Sequence, residues 1–204
     1  MSTLIDIAFT PSVKAIQSRK GSREIYEKLS PGPGFFEEID DNLRLFLATQ
    51  NTAFLATATA DGQPYIQHRG GPAGFIKVLD KHTLAFADFK GNRQFISQGN
   101  LAENPLAYLF LIEYKNRKRI KIWGHAQVVE DDPALLQSLM LERESYRALP
   151  EQVIKFTVRT WDRNCPQHIP VKIDEEQFSA ALKEKDDEIA RLKQEISSLK
   201  NQAV

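Results

Sequence analysis

The spacing of hydrophobic and polar residues changes period more than once along this chain. Between Phe35 and Thr49 the apolar residues Phe36, Ile39, Leu43, Phe46 and Leu47 recur at helical spacing. Glu37, Glu38 and Asp40 crowd the start of that segment, where the helix dipole favours negative charge, so a helix is predicted over 35–49. From Thr52 the period becomes that of strands. Thr52–Ala60 is β-branched and apolar, Asp61-Gly62 is a hairpin signal, and Gln63–Arg69 returns as the partner strand until Gly70-Gly71-Pro72 breaks it. Gly74–Leu79 and Thr83–Phe89 form the next pair, turning at Asp80-Lys81. Leu106–Tyr114 is almost wholly apolar and reads as a buried strand, Arg119–Glu130 alternates for half its length, and Val153–Thr160 is the last strand. Helices interrupt the series from Arg93 to Asn104, where Pro105 disfavours continuation, and from Pro133 to about Tyr146 with Leu136, Leu139 and Met140 inward. Six or seven antiparallel strands joined by tight turns close most naturally into a small barrel, which removes exposed edges. The predicted class is therefore mainly β with peripheral helices. Most successive strands are too close for the crossover helices of a parallel sheet.

The two ends differ from this middle. Residues 1–34 read as an arm with some helix: Thr10-Pro11-Ser12 starts one over Val13–Arg19, Ser22–Leu29 is a second, and Pro31-Gly32-Pro33-Gly34 breaks the chain. From Glu175 onward, Phe178, Leu182, Lys185, Ile189, Leu192, Ile196 and Leu199 alternate spacings of four and three, a heptad repeat. With Leu182, Ile189 and Ile196 at a, the d positions hold Phe178, Lys185, Leu192 and Leu199. Isoleucine at a with leucine at d favours a parallel two-stranded coil, and its g-to-e contacts pair Glu188 with Lys193 and Glu195 with Lys200. Three heptads are marginal alone, so the barrels are expected to dimerise too. The expected organisation is an arm over 1–34, a barrel over 35–174 and a coiled-coil helix over 175–204.

Composition narrows the function. Lysine plus arginine balances aspartate plus glutamate at 27 each, which argues against a dominant nucleic-acid partner, and the basic run Lys115–Arg119 reads as a solvated turn. The single cysteine excludes an internal disulfide and fits a reducing compartment. With no apolar run long enough for a bilayer and no secretory pattern, a soluble cytoplasmic protein is expected. One cysteine and four scattered histidines make no metal site, despite the Cys165-Pro166-Gln167-His168 run. No Ser-His-Asp set or carboxylate pair can be assembled, and the glycine turns lack P-loop and Rossmann spacing, so no catalytic residue is assigned.

The most informative stretch is 84–104, an apolar strand, the turn Lys90-Gly91-Asn92 and a helix expected from Arg93. Glycine, two cations and a helix start make a place where an anion can sit, though the same residues also describe a solvated turn. Arg69 ends a strand at Gly70-Gly71 and offers a second cation. Asp88 is either an ordinary turn former or the group that orients Arg93 or another cation. His68 is a polar strand residue or, with its near-neutral pKa, a proton-transfer group. Trp161 suits a core as well as a site.

Four pieces in order, QPYIQHRGGP, LAFADFKGNRQFIS followed by GNL, RIKIWGHAQVV and WDRNCPQHI, resemble the pyridoxamine 5′-phosphate oxidase-like, FMN-binding split-barrel family, and within it a flavin-nucleotide-binding branch. The resemblance implies a six-stranded Greek-key barrel and a two-fold dimer with two FMN molecules in clefts between subunits. It implies that Lys90, Asn92, Arg93 and Gln94 stand at the phosphate turn. It implies that Arg69 and Gly70 end the strand that supplies an arginine and backbone contacts, with Gln67 and His68 in adjoining registers and Gln67 suited to the ring edge. Arg119 stands where the family places a cofactor-contacting glutamine, and a cation there can stabilise reduced flavin. Trp161, Arg163, Gln167 and His168 resemble the family's C-terminal cofactor-contacting segment. There are departures: Asn92-Arg93-Gln94 replaces Ser-Arg-Lys, the strand-motif lysine has no clear match, and the coil replaces the C-terminal Arg-Leu-His segment. These weaken the case for vitamin B6 oxidation. The expected function is that of an FMN-dependent oxidoreductase acting on a small molecule. The alternatives are a non-catalytic flavin carrier, sensor or dimeric interaction protein, and a deazaflavin- or haem-binding member of the same fold.

Overall fold

A computed structural model gives the fold and describes residues 4–28, 34–140, 146–172 and 175–202. The chain divides into two compact units, Met1–Glu113 with Lys118–Pro166, and Tyr114–Arg117 with Gln167–Val204.

The first unit is built on one antiparallel sheet. Its strands are β1 (Thr52–Ala58), β2 (Pro64–Gly70), the two-residue β3 (Lys77–Val78), β4 (Thr83–Phe89), β5 (Leu106–Glu113), β6 (Lys118–Val129) and β7 (Pro150–Asn164). They lie in the order β2-β1-β5-β6-β7-β4-β3. β5 returns beside β1 after the excursion through β2 to β4, and β5, β6 and β7 follow as a meander, the Greek-key pattern expected. The six full strands are those read from the sequence; β3 is the seventh and shortest.

Alternation explains the curl. Ala53, Leu55 and Thr57 of β1, Leu109 and Leu111 of β5, and Ile120 and Ile122 of β6 point one way and are buried. They share one core with Leu84 and Phe86 of β4, Phe156 and Val158 of β7, and Leu43, Phe46 and Leu47 of the helix α3 (Asp41–Thr49). A sheet whose two flanks share a core must wrap around it. β6 and β7 shift register between Trp123 and Gly124. Gly124 is required there, because a Cβ would lie 2.1 Å from the Thr157 carbonyl oxygen.

Ahead of α3, α1 (Pro11–Lys20) is capped by the Thr10 hydroxyl, which accepts from the Val13 N–H at 3.3 Å, and α2 (Arg23–Glu27) follows. Phe9 packs edge-on against Tyr26 and Phe35, and Phe35 meets Trp123, so the arm lies on the outer face of β6. This unit also holds α4 (Ile96–Glu103) and α5 (Pro133–Leu139).

Five boundaries differ from the sequence reading. The helix expected from Phe35 starts at Asp41, because the Asp40 carboxylate caps the Leu43 N–H at 2.8 Å and Phe36 bridges instead to Trp161. The helix expected from Arg93 starts at Ile96, because Arg93 and Phe95 adopt left-handed φ values of 60° and 55°. The strand expected over Gly74–Leu79 shrinks to β3. The last strand begins earlier and runs on to Asn164, taking in Trp161 and Arg163. α5 also stops short of the expected end near Tyr146: its last residue is Leu139, because Met140 is already extended at φ −71° and ψ 127°; residues 141–145 lie outside the described residues.

In the second unit the helix α6 (Glu175–Gln202) has 28 residues, a length of about 42 Å at 1.5 Å per residue. Elsewhere in this unit the Lys172 ammonium sits 4.1 Å from the centre of the Tyr114 ring. No helix among the described residues is long and apolar enough to cross a membrane.

Candidate functional site

β2 and β4 occupy different flanks of the sheet order and share no hydrogen-bonded ladder. Side chains join them. Arg69 of β2 places Nη1 2.9 Å from Oδ1 of Asp88 on β4, with both side chains only 14% exposed. The other Asp88 oxygen accepts from Gln152 Nε2 at 3.0 Å, and Gln152 is buried directly opposite Asp88 in the β4–β7 register. This ion pair therefore closes the split in the barrel.

Two adjoining depressions open at the split, and Gln67, Arg69, Asp88, Phe89 and Gly91 line both. One extends to Asn92, Arg93 and Ser97. The other takes in His68, Gly70 and Tyr146 and has a volume of about 460 Å³, a size suited to a small ligand. Phe89 and Tyr146, edge to face at 5.2 Å, give this side an apolar wall.

The turn after β4 is locally ordered. Asn92 Oδ1 accepts from the Gln94 backbone N–H at 3.1 Å, and Asn92 Nδ2 donates to Gln94 Oε1 at 3.2 Å. Arg93 follows at positive φ, with its guanidinium 5.6 Å from the centre of the Phe95 ring. Non-glycine residues in this region cost free energy and persist where the surroundings fix them. The Gln67 carboxamide oxygen accepts from Tyr65 Oη at 3.2 Å and from the buried Ser97 Oγ at 3.4 Å. His68 is exposed, with Nε2 2.6 Å from Thr52 Oγ1.

The donors fit an anion. Arg69 Nε is buried and has no hydrogen-bond partner among the described residues. Leaving such a donor unsatisfied costs about 1–3 kcal/mol, which an anionic oxygen in the cleft would recover. Arg93 contributes an exposed cation on the same wall. Glu151 sits exposed on the rim, so the cleft is not uniformly positive. Lys90 and Gln94 are exposed and absent from both linings; the Lys90 backbone N–H is engaged by the Leu149 carbonyl at 2.8 Å.

The remaining candidates of the first unit, Arg119, Trp161 and Arg163, line neither depression. Arg119 stands opposite Asn164 in the β6–β7 register and donates from Nη2 to the Cys165 carbonyl at 2.6 Å. Trp161 is 0% exposed, stacks on Phe36 with ring centres 4.5 Å apart, and donates from Nε1 to the Glu38 carbonyl at 2.9 Å. It is a core residue rather than a cleft wall. Arg163 lies over Phe36 and Trp161 and comes within 3.7 Å of Asp40. Gln167 and His168 fall in the second unit, both exposed, with His168 at φ 61°. Sequence reasoning did not single out Gln152, Ser97, Phe89 or Tyr146. Only the cross-strand register, which brings Gln152 opposite Asp88, could have pointed to one of them.

Comparison with known proteins adds the family. A sequence profile described as pyridoxamine 5′-phosphate oxidase matches residues 39–165, more than half the chain. The chain belongs to the pyridoxamine 5′-phosphate oxidase-like split-barrel family. No curated protein matches the sequence. Among solved structures, HupZ of Group A Streptococcus matches at 16% identity and a TM-score of 0.48, over 66% of this chain and 99% of that one. An FMN-binding protein from Syntrophomonas wolfei matches at 10% identity and a TM-score of 0.46, over 72% and 97%. An FAD binding protein from Mycobacterium smegmatis matches at 14% identity and a TM-score of 0.40, over 63% and 98%.

In this member of the oxidase family a second feature lies on the outer face of β1, β5 and β6. Phe54, Tyr108, Phe110 and Trp123 are half-buried there, with Tyr108 edge-on to Trp123 at 5.1 Å. Lys121 pairs with Asp162 at 2.5 Å and lies over the Trp123 ring. Burial raises the Asp162 carboxyl above its ordinary value despite that lysine. Burial, and then the negative charge of Asp162, pushes the Tyr108 phenol up to about 12.

Proposed function

We propose that this chain binds FMN non-covalently at the split between β2 and β4, as a homodimer, and serves as a flavin-dependent oxidoreductase acting on a small molecule. The observation that carries the reading is the buried, unsatisfied Arg69 Nε in the wall of a cleft that also presents Arg93. A phosphate matches that donor set, since guanidinium groups and turn N–H groups hold phosphate oxygens by charge-assisted hydrogen bonds. Arg93 and the Gly91-Asn92 backbone would hold the phosphate, and Arg69 would donate its remaining N–H there or to the ribityl chain. Asp88 keeps Arg69 in place. Gln67, held by Tyr65 and Ser97, would meet a ring edge, and Phe89 with Tyr146 would give it an apolar wall.

The bound flavin would supply the hydride or electron-pair chemistry, while the protein orients it and tunes its potential. Arg119 and Arg163 line neither depression of this cleft, so they contribute only if a second copy brings them. Phe54, Tyr108 and Phe110, half-buried on the outer face of β1 and β5, support such a copy, because apolar surface of this kind marks protein interfaces. Oxidation of pyridoxamine phosphate itself is disfavoured by the Asn92-Arg93-Gln94 turn and the missing strand-motif lysine. The proposed setting is cytoplasmic.

The absorption spectrum of the purified protein tests this reading. Flavin bands and release of one FMN per chain on heating are expected. A colourless protein that FMN cannot reconstitute would refute the proposal. Rapid bleaching by NADH or NADPH, reversed by an acceptor, is the enzyme's signature; slow bleaching indifferent to substrate is a carrier's.

A further inference from the structure

α6 has its own unmet requirement. Phe178, Leu182, Ile189, Leu192, Ile196 and Leu199 form one stripe along it and are 43–59% exposed. Six large apolar residues on a single helix face, which with Lys185 alternate spacings of four and three, are a surface that water disfavours and a second helix covers. The charges beside the stripe specify that helix.

We infer that α6 is one strand of a parallel, in-register, two-stranded coiled coil formed with a second copy of this chain. The inference is independent of the flavin reading. Isoleucine at two a positions with leucine at two d positions is the combination that favours two parallel strands. Parallel packing sets g of one helix beside the following e of the other, pairing Glu188 with Lys193 and Glu195 with Lys200 twice each across the dimer. Antiparallel packing faces g with g, setting Glu188 against Glu195, a like-charge contact that disfavours it.

Lys185 fixes the register. It occupies a d position, and its Nζ is 2.9 Å from Glu188 within the same helix. In register, the two lysines share one layer and each has a glutamate of its own helix at hand. A slip of one heptad sets each lysine against Phe178 or Leu192, so two layers lose apolar packing instead of one. A single polar residue in the seam lowers stability and selects one alignment, the balance that short coils use.

The test uses the full chain with Cys165→Ser as background. Leu192→Cys places a thiol at d, where it meets its own copy only in a parallel, in-register pair. Asp187→Cys places one at f, on the far side of the helix. Under mild oxidation the account expects most of the Leu192→Cys protein to migrate as a disulfide dimer, and at least ten-fold less of the Asp187→Cys protein. Equal cross-linking at both positions, or none at 192, would overturn it; those are the results for a frayed single helix, an antiparallel pair or a helix meant for another protein. Lys185→Leu supplies a second readout. In the seam it raises the melting temperature of the α6 helical signal. An unchanged or lower melting temperature would remove Lys185 from the seam.

Discussion

Asp88→Ala removes the carboxylate that joins β2 to β4 across the split. The Arg69 guanidinium then stays 14% exposed with Nη1 stripped of its 2.9 Å partner and Nε still unsatisfied. At an effective dielectric of 20 the lost attraction is about 6 kcal/mol before desolvation is counted. Breaking one side of a buried pair costs about 3–5 kcal/mol, and the residual exposure of Arg69 favours the lower end, about 3 kcal/mol. That figure includes the Gln152 amide, which loses its acceptor at 3.0 Å. For a chain of this size about 3 kcal/mol lowers the melting temperature by roughly 6–12 °C. Urea unfolding of the apoprotein reads the same change as a lower midpoint at constant slope. Adding Arg69→Met should recover part of the loss, because the stranded charge goes with it. If Asp88→Ala shifts stability by less than about 0.5 kcal/mol, or Arg69→Met only adds to the damage, the pair does not close the barrel.

Two further predictions concern the sheet. Alkaline titration followed by phenolate absorbance should show one of the five tyrosines ionising near pH 12, and Tyr108→Phe should remove it. Because the folded phenol is held at about 12 and the unfolded one near 10, the native state keeps a proton that the unfolded state loses. Stability therefore falls as pH rises from 10 through 12, less steeply in Tyr108→Phe; identical pH profiles would show that Tyr108 is not held this way. Gly124→Ala forces a Cβ to within 2.1 Å of the Thr157 oxygen and 2.4 Å of Phe156 Cε1, so it should cost about 3 kcal/mol in a thermal melt. An alanine variant as stable as the parent would mean that the register shift at Trp123 relaxes freely.

Strands were legible because one face of each is buried, as in Ala53, Leu55 and Thr57. A half-buried strand produces that period of two, and a helix does not. The start of α3 was misread for an equally physical reason. Phe36 falls at helical spacing from Ile39 and Leu43, yet it is half-buried by pairing with Trp161, and apolar spacing alone does not distinguish the two. That a turn follows β4 at Lys90–Asn92 was legible in composition; its conformation was not, since nothing in the residue types announces left-handed φ at Arg93 and Phe95. Least visible was the Arg69–Asp88 pair. It spans a gap with no ladder, so no register pattern in the sequence connects β2 to β4. Trp161 was open to both readings, and its indole hydrogen bond to Glu38 decides for the core.

The central claim is that Arg69 and Arg93 make the split a phosphate site for a flavin nucleotide. Titrating the apoprotein with FMN and with riboflavin, in the parent chain and in Arg93→Ala, measures it most directly. One charge-assisted hydrogen bond to phosphate is worth about 1.5–3 kcal/mol, or roughly 10- to 150-fold in Kd. The account predicts that the parent prefers FMN to riboflavin by at least about ten-fold, and that Arg93→Ala loses most of that preference while riboflavin affinity holds. Equal affinity for the two ligands in the parent, or an FMN preference that Arg93→Ala leaves intact, would contradict it.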